Sequence, residues 1–138
     1  MKKIVLLFAF FVGLAEFAAN AQTARTVYFH VMDYNSVPLA GANLQKKGTS
    51  LGATTDMYGN ATISPVTSGD IIVVSYIGAT TSEVTITSDN YYTVMLDIET
   101  GESFFIPLTE YEWNLFQNSS QELRQHIIMN KISFSSKQ

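Results

Sequence analysis

The two histidines are the residues of this chain best suited to metal binding or acid–base catalysis. The 138-residue sequence contains only His30 and His126 and has no cysteine. A catalytic zinc needs roughly three protein ligands and a general base. Neither histidine stands in a His-x-x-Glu or His-Glu-x-x-His pattern, and the two lie in unlike elements. We therefore interpret His30 as an outward-facing strand residue and His126 as a residue of a polar helix face, and we predict no metal site.

Serine and phosphate chemistry are also poorly supported. The sequence has no Gly-x-Ser-x-Gly elbow that would expose a nucleophilic serine. The segment from Gly48 to Gly52 lacks the Gly-x-x-x-x-Gly-Lys pattern of a phosphate-binding loop. The absence of cysteine excludes disulfides and thiolate nucleophiles. We predict that the protein is not an enzyme and uses no cofactor.

The segment Asp56-Met57-Tyr58-Gly59 is typical of a tight turn. An Asp carboxylate can accept hydrogen bonds from the amides that follow it, and glycine tolerates a positive φ. The alternative is a calcium site formed by Asp56 and Asn60, but calcium takes about six or more oxygen ligands and the segment has no Asp-x-Asp-x-Asp pattern. We predict that Asp56 and Gly59 are structural residues of a β-hairpin corner.

Five tyrosines are candidates for contact with a protein partner or a glycan. Their rings could form an exposed cluster, because tyrosine combines a large apolar face with a polar tip. The alternative is that they only cover a face or edge of a sheet. Pairing of an edge strand with a partner is a second mode of binding. The candidate residues are Tyr28, Tyr58, Tyr76, Tyr91 and Tyr92.

The elements that would position these residues are short strands. Residues 26–33 and 81–87 alternate apolar and polar side chains, as half-buried strands do, and residues 91–96 predict a further strand. Ile71 to Ile77 is the most apolar run after the N-terminus and predicts a central strand buried on both faces. Some six strands at roughly ten-residue spacing with polar turns predict a mainly β fold, an antiparallel β-sandwich.

The C-terminal part has a different character. Residues 104–107 are apolar and extended, and they predict an edge strand. Thr109 and Glu112 form a capping box, and the spacing is repeated from Ser119 to Glu122. We predict two short helices, about 110–117 and 120–131, and a frayed end at 133–138. The side chains expected to dock them on the sandwich are Trp113, Phe116, Leu123 and Ile127.

The N-terminus predicts export. Lys2 and Lys3 precede an apolar run from Ile4 to Leu14, and Ala19-Asn20-Ala21 is a small-x-small cleavage site. We predict a signal peptide at residues 1–21, a linker at 22–25 and no membrane span after cleavage. Loss of two lysines and one glutamate would change the formal net charge from −4 to about −5. This balance argues against nucleic acid as a partner.

Several motifs in order resemble a known family. They are Val31-Met32-Asp33, residues 37–43, Gly48-Thr49, Gly52-Ala53-Thr54-Thr55-Asp56-x-x-Gly59, and Gly69-Asp70-Ile71 followed by Ser75-Tyr76-Ile77-Gly78. Across residues 26–97 the chain resembles the carboxypeptidase-regulatory-like domain. This domain is found ahead of the plug in starch-utilisation-type TonB-dependent transporters of Bacteroidetes, and in small standalone exported proteins. Ala79 stands where the family often has another aromatic residue.

The resemblance implies a transthyretin-like β-sandwich at residues 26–97, followed by an extended segment and helices at 98–132. It implies that Gly78 ends a strand at a turn. It also implies a non-enzymatic interaction module of the cell envelope, with an envelope or outer-membrane protein as its partner and a glycan as the alternative. Periplasm, outer membrane and secretion all remain open locations. With no plug or barrel before Gln138, we do not expect the chain to be a transporter itself.

Overall fold

The computed structural model describes residues 23–79 and 81–135, so the predicted signal peptide lies outside the described part of the chain. The described residues form eight strands followed by two helices. The elements are β1 Arg25–Met32, β2 Asn43–Lys46, β3 Gly52–Thr54, β4 Asn60–Val66, β5 Ile71–Ser75, β6 Ser82–Thr85, β7 Tyr91–Leu96, β8 Ser103–Leu108, α1 Glu110–Gln117 and α2 Gln121–Ser135.

The strands build two four-stranded sheets, which confirms the predicted mainly β sandwich. The first sheet has the order β4-β1-β7-β8, and the second has the order β3-β2-β5-β6. Every pair of neighbours is antiparallel except β1 and β7, which run parallel with Tyr28 opposite Tyr91 and Met32 opposite Met95. The N-terminal strand is therefore an inner strand of the first sheet.

The alternation along β1 serves two separate cores. Val27, Phe29 and Val31 are fully buried between the two sheets, in what we call the sandwich core. His30 and Met32 point to the other face of the first sheet, which the helices cover. The helix–sheet core consists of Met32, Met95, Ile106, Leu108, Phe116 and Ile128.

Two predicted features of the strands are wrong in detail. Strand β5 is not buried on both faces, because only Ile72 and Val74 enter the core and the residues beside them are half-buried. The Asp56–Gly59 turn does not join two strands of one hairpin, since β3 belongs to the second sheet and β4 to the first. The turn carries the chain across the sandwich.

The helices form as the capping signals predict, with a different contact face on α2. The Thr109 hydroxyl accepts a hydrogen bond from the Glu112 amide, and the Glu112 carboxylate accepts one from the Thr109 amide. At α2 it is the hydroxyl of Ser120, not of Ser119, that accepts from the Leu123 amide, at 3.4 Å. The helix continues past the predicted end to Ser135.

Trp113 and Phe116 pack on the sheet as expected, but Leu123 and Ile127 do not belong to the helix–sheet core. Leu123 is 46% exposed, and α2 instead buries Ile128 with Ile132 beside it. Among the described residues, neither helix combines the length and the apolar character needed to cross a membrane.

Candidate contact surfaces

Tyr28 and Tyr91 lie side by side on the outer face of the first sheet. Their rings stack with centroids 5.2 Å apart, and Trp113 of α1 packs against Tyr91 at 5.4 Å and Tyr28 at 6.4 Å. Tyr28 is 37% exposed. Burial and then nearby Glu110 raise the pKa of Tyr91. Because the rings cover one another, this group mainly joins α1 to the sheet and offers little free aromatic face.

Tyr92 is fully buried in the sandwich core and does not belong to any exposed cluster. Its ring stacks on Phe29 with centroids 5.4 Å apart. Its hydroxyl accepts a hydrogen bond from the Thr87 amide at 2.9 Å and donates one to the Asp89 carbonyl at 3.1 Å. This tyrosine ties the connection between β6 and β7 to the core.

The predicted turn at Asp56 forms and presents Tyr58 to solvent. The Asp56 carboxylate accepts hydrogen bonds from the amides of Tyr58 at 2.9 Å and Asn60 at 3.0 Å. The Gly59 amide bonds to the Asp56 carbonyl at 3.0 Å, and Gly59 has φ +77°. As a result Met57 and Tyr58 project from the molecule, 73% and 63% exposed.

A second exposed turn follows β5. The Ala79 amide bonds to the Tyr76 carbonyl at 3.1 Å, and Gly78 takes φ +84°. Tyr76 and Ala79 pack against the sandwich core, so their positions are partly covered. Ile77 between them is 94% exposed. The two glycine turns thus place Met57, Tyr58 and Ile77 where they contact solvent.

Four connections leave the two sheets at one end of the sandwich. Segment 33–42 follows β1, 55–59 joins β3 to β4, 76–79 follows β5, and 97–102 joins β7 to β8. The registers place these strand ends together, with Met32 opposite Met95 and Asn43 opposite both Thr54 and Ser75. We call this the loop end. Its exposed apolar side chains are Val37, Met57, Tyr58, Ile77 and Ile98.

The carboxylates of the loop end fix the shapes of its connections. Asp33 accepts from the amides of Asn35 and Val37, both at 2.9 Å. The hydroxyl of Thr100 donates to Asp97, as do two amides of the same loop, and these bonds hold the pKa of Asp97 below its ordinary value. Burial and then the negative charges of Glu102 and Asp97 raise the pKa of Tyr34. The four connections of the loop end contain carboxylates and no lysine or arginine, so their formal charge is negative.

His30 is buried, so the expectation of an outward-facing residue is wrong. Helix α1 covers this face of the sheet, and the imidazole packs edge-on against Phe116 with centroids 4.8 Å apart. Its Nδ1 lies 2.7 Å from the Asn60 side-chain oxygen, and Asn60 and Gln117 exchange two amide hydrogen bonds. Burial lowers the pKa of His30 to about 4. This network links β1, β4 and α1.

Both histidines lie beside an asparagine side chain, His30 beside Asn60 and His126 beside Asn130. His126 is exposed on α2, as predicted, and pairs with Asn130 of its own helix at 3.2 Å. Within residues 23–79 and 81–135, no cluster of histidine, aspartate and glutamate could hold a metal ion. The Asp56 oxygen proposed as a calcium ligand is already bonded to two backbone amides.

The edges of both sheets are poorly suited to pairing with another strand. In the first sheet the edge strands β4 and β8 contain Pro65 and Pro107, which have no amide hydrogen to donate. In the second sheet, edge strand β3 has three residues and β6 has four. Short or interrupted edges limit strand addition, which leaves the loop end as the most exposed apolar surface of the sandwich.

The amino-acid sequence matches a known protein family and two known receptors. The model of the CarboxypepD_reg-like domain matches residues 30–104, more than half of the chain. The chain is 40% identical over 75 residues to TonB-dependent receptor SusC of Bacteroides thetaiotaomicron, and 26% identical over 102 residues to TonB-dependent receptor P3 of Formosa agariphila. These matches cover 54% and 74% of this chain but only 7% and 10% of the receptors.

Two solved structures share part of the fold at a low level. Both are complexes of type II cohesin with X-dockerin from Acetivibrio cellulolyticus. One matches with a TM-score of 0.42 and 18% identity over 57% of this chain and 64% of that chain. The other matches with a TM-score of 0.37 and 22% identity, covering 51% of each. Likeness at this level supports no functional argument.

Proposed function

This chain belongs to the CarboxypepD_reg-like domain family, and on that premise we propose that it is a non-enzymatic protein-interaction module of the bacterial cell envelope. Both matched relatives are named TonB-dependent receptors, and neither is named as an enzyme. A signal-peptide pattern at residues 1–21 supports export to the periplasm, to the outer membrane or beyond it. The chain spans a tenth or less of the matched receptors, so their whole activity is not assigned to it.

One observation carries the proposal. At this one end of the sandwich, separate connections each expose large apolar side chains, with Ile77 at 94%, Met57 at 73% and Tyr58 at 63%. Single exposed apolar residues are ordinary, but a group of them on one surface is typical of a protein contact. Loops held by a rigid sandwich are also where binding residues commonly lie. The predicted tyrosine surface is thereby reduced to Tyr58 with Tyr76 half-buried beside Ile77, and the edge strands become secondary.

Crosslinking in intact cells tests the proposal. The native protein and the double variant Met57→Ser with Ile77→Ser would be crosslinked in the envelope, and their neighbours identified by mass spectrometry. Met129→Ser is the matched control, because Met129 is 61% exposed on α2. We expect the same specific neighbours with the native protein and the control, and their loss with the double variant.

Two outcomes would contradict the proposal. Equal recovery of neighbours by all three proteins would exclude the loop end as the contact. Absence of any specific neighbour, together with binding to a glycan array that Tyr58→Ala abolishes, would favour carbohydrate binding instead. Urea unfolding of each variant shows whether a loss of neighbours reflects loss of the fold.

A further inference from the structure

The connections of the loop end carry negative charge, and the cation of the neighbouring helix α2, Arg124, is bonded to the Phe116 and Gln117 carbonyls. The four connections contain five carboxylates and, by sequence, no lysine or arginine. Three of these carboxylates are exposed, those of Asp56, Glu99 and Glu102, and the other two are half-buried. Burial, and then the neighbouring charges of Glu102 and Asp97, raise the pKa of Tyr34. The five are Asp33, Asp56, Asp97, Glu99 and Glu102.

The opposite end of the sandwich is balanced. There Lys46 lies 3.0 Å from the Asp70 carboxylate, and Lys47 lies 2.7 Å from that of Glu83. Arg25 donates to the side chain of Asn90 and to backbone carbonyls. Lys46, Lys47 and Arg25 already have partners in the same molecule. They therefore do not form a free cationic patch that could bind the loop end of a second copy.

Charge and apolar exposure together restrict what can cover the loop end. A second copy docking by the same surface would bring the five carboxylates of each molecule against those of the other, which is destabilising. Anionic lipid headgroups would be repelled for the same reason. A suitable partner would place apolar side chains over Met57 and Ile77 and lysine or arginine at the rim. Such a partner is complementary to both the exposed apolar side chains and the negative charge of the loop end.

We propose that the loop end binds a cationic, apolar segment of a partner protein. The inference rests on the proposed function and specifies the chemistry of its partner. Burial of Ile77, Met57 and Tyr58 would provide most of the affinity, because these are the large side chains now in water. The carboxylates would select the partner and speed its association at low salt.

The probe is a twelve-residue peptide that alternates lysine with leucine, added to the ¹⁵N-labelled full chain in an NMR titration. A lysine–serine peptide and a glutamate–leucine peptide of the same length are the controls. We expect shifts confined to the loop end with the lysine–leucine peptide alone, and an affinity that falls about tenfold or more between 50 and 500 mM salt.

Charge variants make the test specific. Glu99→Gln with Glu102→Gln should weaken binding about fivefold, because each rim charge contributes modestly. Glu110→Gln removes an exposed charge at the start of α1, beside Leu108 and away from the loop end, and should change affinity less than about twofold. The Glu99 backbone amide donates to Asp97 at 2.8 Å, but the substitutions change only side chains and leave this amide in place, so the loops should keep their shape.

The outcomes separate this inference from the proposed function. Equal binding of the glutamate–leucine peptide, equal effects of all charge variants, or self-association in sedimentation velocity would overturn the inference. One outcome is that capture of the neighbour requires Ile77 and yet is unchanged by Glu99→Gln with Glu102→Gln. That result would support the interaction module and contradict the cationic character of its partner. If Met57→Ser with Ile77→Ser leaves the capture of specific neighbours unchanged, the loop end is not the contact and this inference is wrong, whereas the absence of any specific neighbour would contradict the interaction module itself.

Discussion

At the scale of single residues, Gly59 combines a positive φ with a close approach of neighbouring backbone. Its φ is +77°, and a Cβ added there would lie 2.5 Å from the Val31 carbonyl oxygen and 3.1 Å from the Pro38 side chain. The Val31 carbonyl already accepts the Leu39 amide at 2.9 Å, so it cannot move freely. We expect Gly59→Ala to lower the free energy of unfolding by about 3 kcal/mol or more, measured by urea denaturation.

Gly41→Ala is the control for this prediction. Gly41 has nearly the same φ, +81°, but an added Cβ would meet nothing within 4 Å. Only the cost of the left-handed conformation remains, about 1 kcal/mol. Similar losses for the two variants would show that close contact at Gly59 is not the cause.

His30 should make stability depend on pH. Its pKa is about 4 in the folded protein because burial, and to a lesser extent nearby Arg124, disfavour the imidazolium, while Asn60 and Asp56 act in the opposite direction. The unfolded chain takes up the proton near pH 6.5. Protonation therefore favours unfolding, and we expect stability to fall as pH drops from about 6.5 towards 4, by up to roughly 3 kcal/mol.

The informative window for His30 lies between pH 6.5 and about 5. Asp70 and Glu112 have lowered pKa values, so their contributions decline only as the pH approaches their unfolded values of 3.8 and 4.5. A His30→Gln variant should show a flat profile in this window, whereas His126→Gln should keep the native slope. An unchanged slope in His30→Gln would contradict the assignment.

At the scale of elements, the helices are held by few side chains. Phe116 is fully buried, and Arg124 of α2 lies over its ring at 5.1 Å and donates to its carbonyl at 2.8 Å. We expect Phe116→Ala to cost about 3 kcal/mol or more in urea unfolding, and Leu123→Ala, at a half-exposed position, less than about 1 kcal/mol. A larger loss at Leu123 would mean that α2 docks by its other face.

The difference between Leu123 and Ile128 shows what helical spacing leaves undetermined. Apolar residues occur around α2 at Leu123, Ile127, Ile128, Met129 and Ile132, so spacing alone allows more than one contact face. The hydrogen bond of the Ser120 cap and the contacts of Arg124 with α1 determine which of these faces is buried. In α1 the capping box and a clearer apolar stripe predicted both the bounds and the buried residue, Phe116.

The candidate surface was predicted in part. The Asp56–Gly59 turn and the exposure of Tyr58 follow from local turn chemistry, which the sequence displays directly. Ile77 was missed because it continues an apolar run, and only the pairing of β5 shows that the strand ends at Ser75. His30 was misplaced because alternation gives the face of a strand but not what covers that face.

At the scale of the whole molecule, the first sheet is shared by two cores. Val27 and Phe29 lie in the sandwich core, whereas Met32 and Met95 lie in the helix–sheet core. Loss of either core would expose one face of the same strands. We therefore expect a single cooperative unfolding transition, as is usual for domains of this size.

Trp113 allows a direct test of whether the two cores unfold together. It is the only tryptophan of the chain and packs between α1 and the first sheet. Its fluorescence reports the helix–sheet core, while far-UV circular dichroism reports all the strands and helices. The two urea transitions should coincide; a fluorescence change at distinctly lower urea would show that the helices detach before the sandwich unfolds.

The parallel pairing of β1 with β7 has a consequence for the order in which the protein matures. A ribosome releases β1 first, yet its parallel neighbour is the seventh strand to emerge. The second sheet uses strands from Asn43 to Thr85, so all of its strand partners have been synthesised before β7 emerges. The first sheet must wait, because distant segments have to meet. Until Leu96 has left the tunnel, the nascent chain keeps its N-terminal segment incompletely paired, available to be held unfolded by a chaperone.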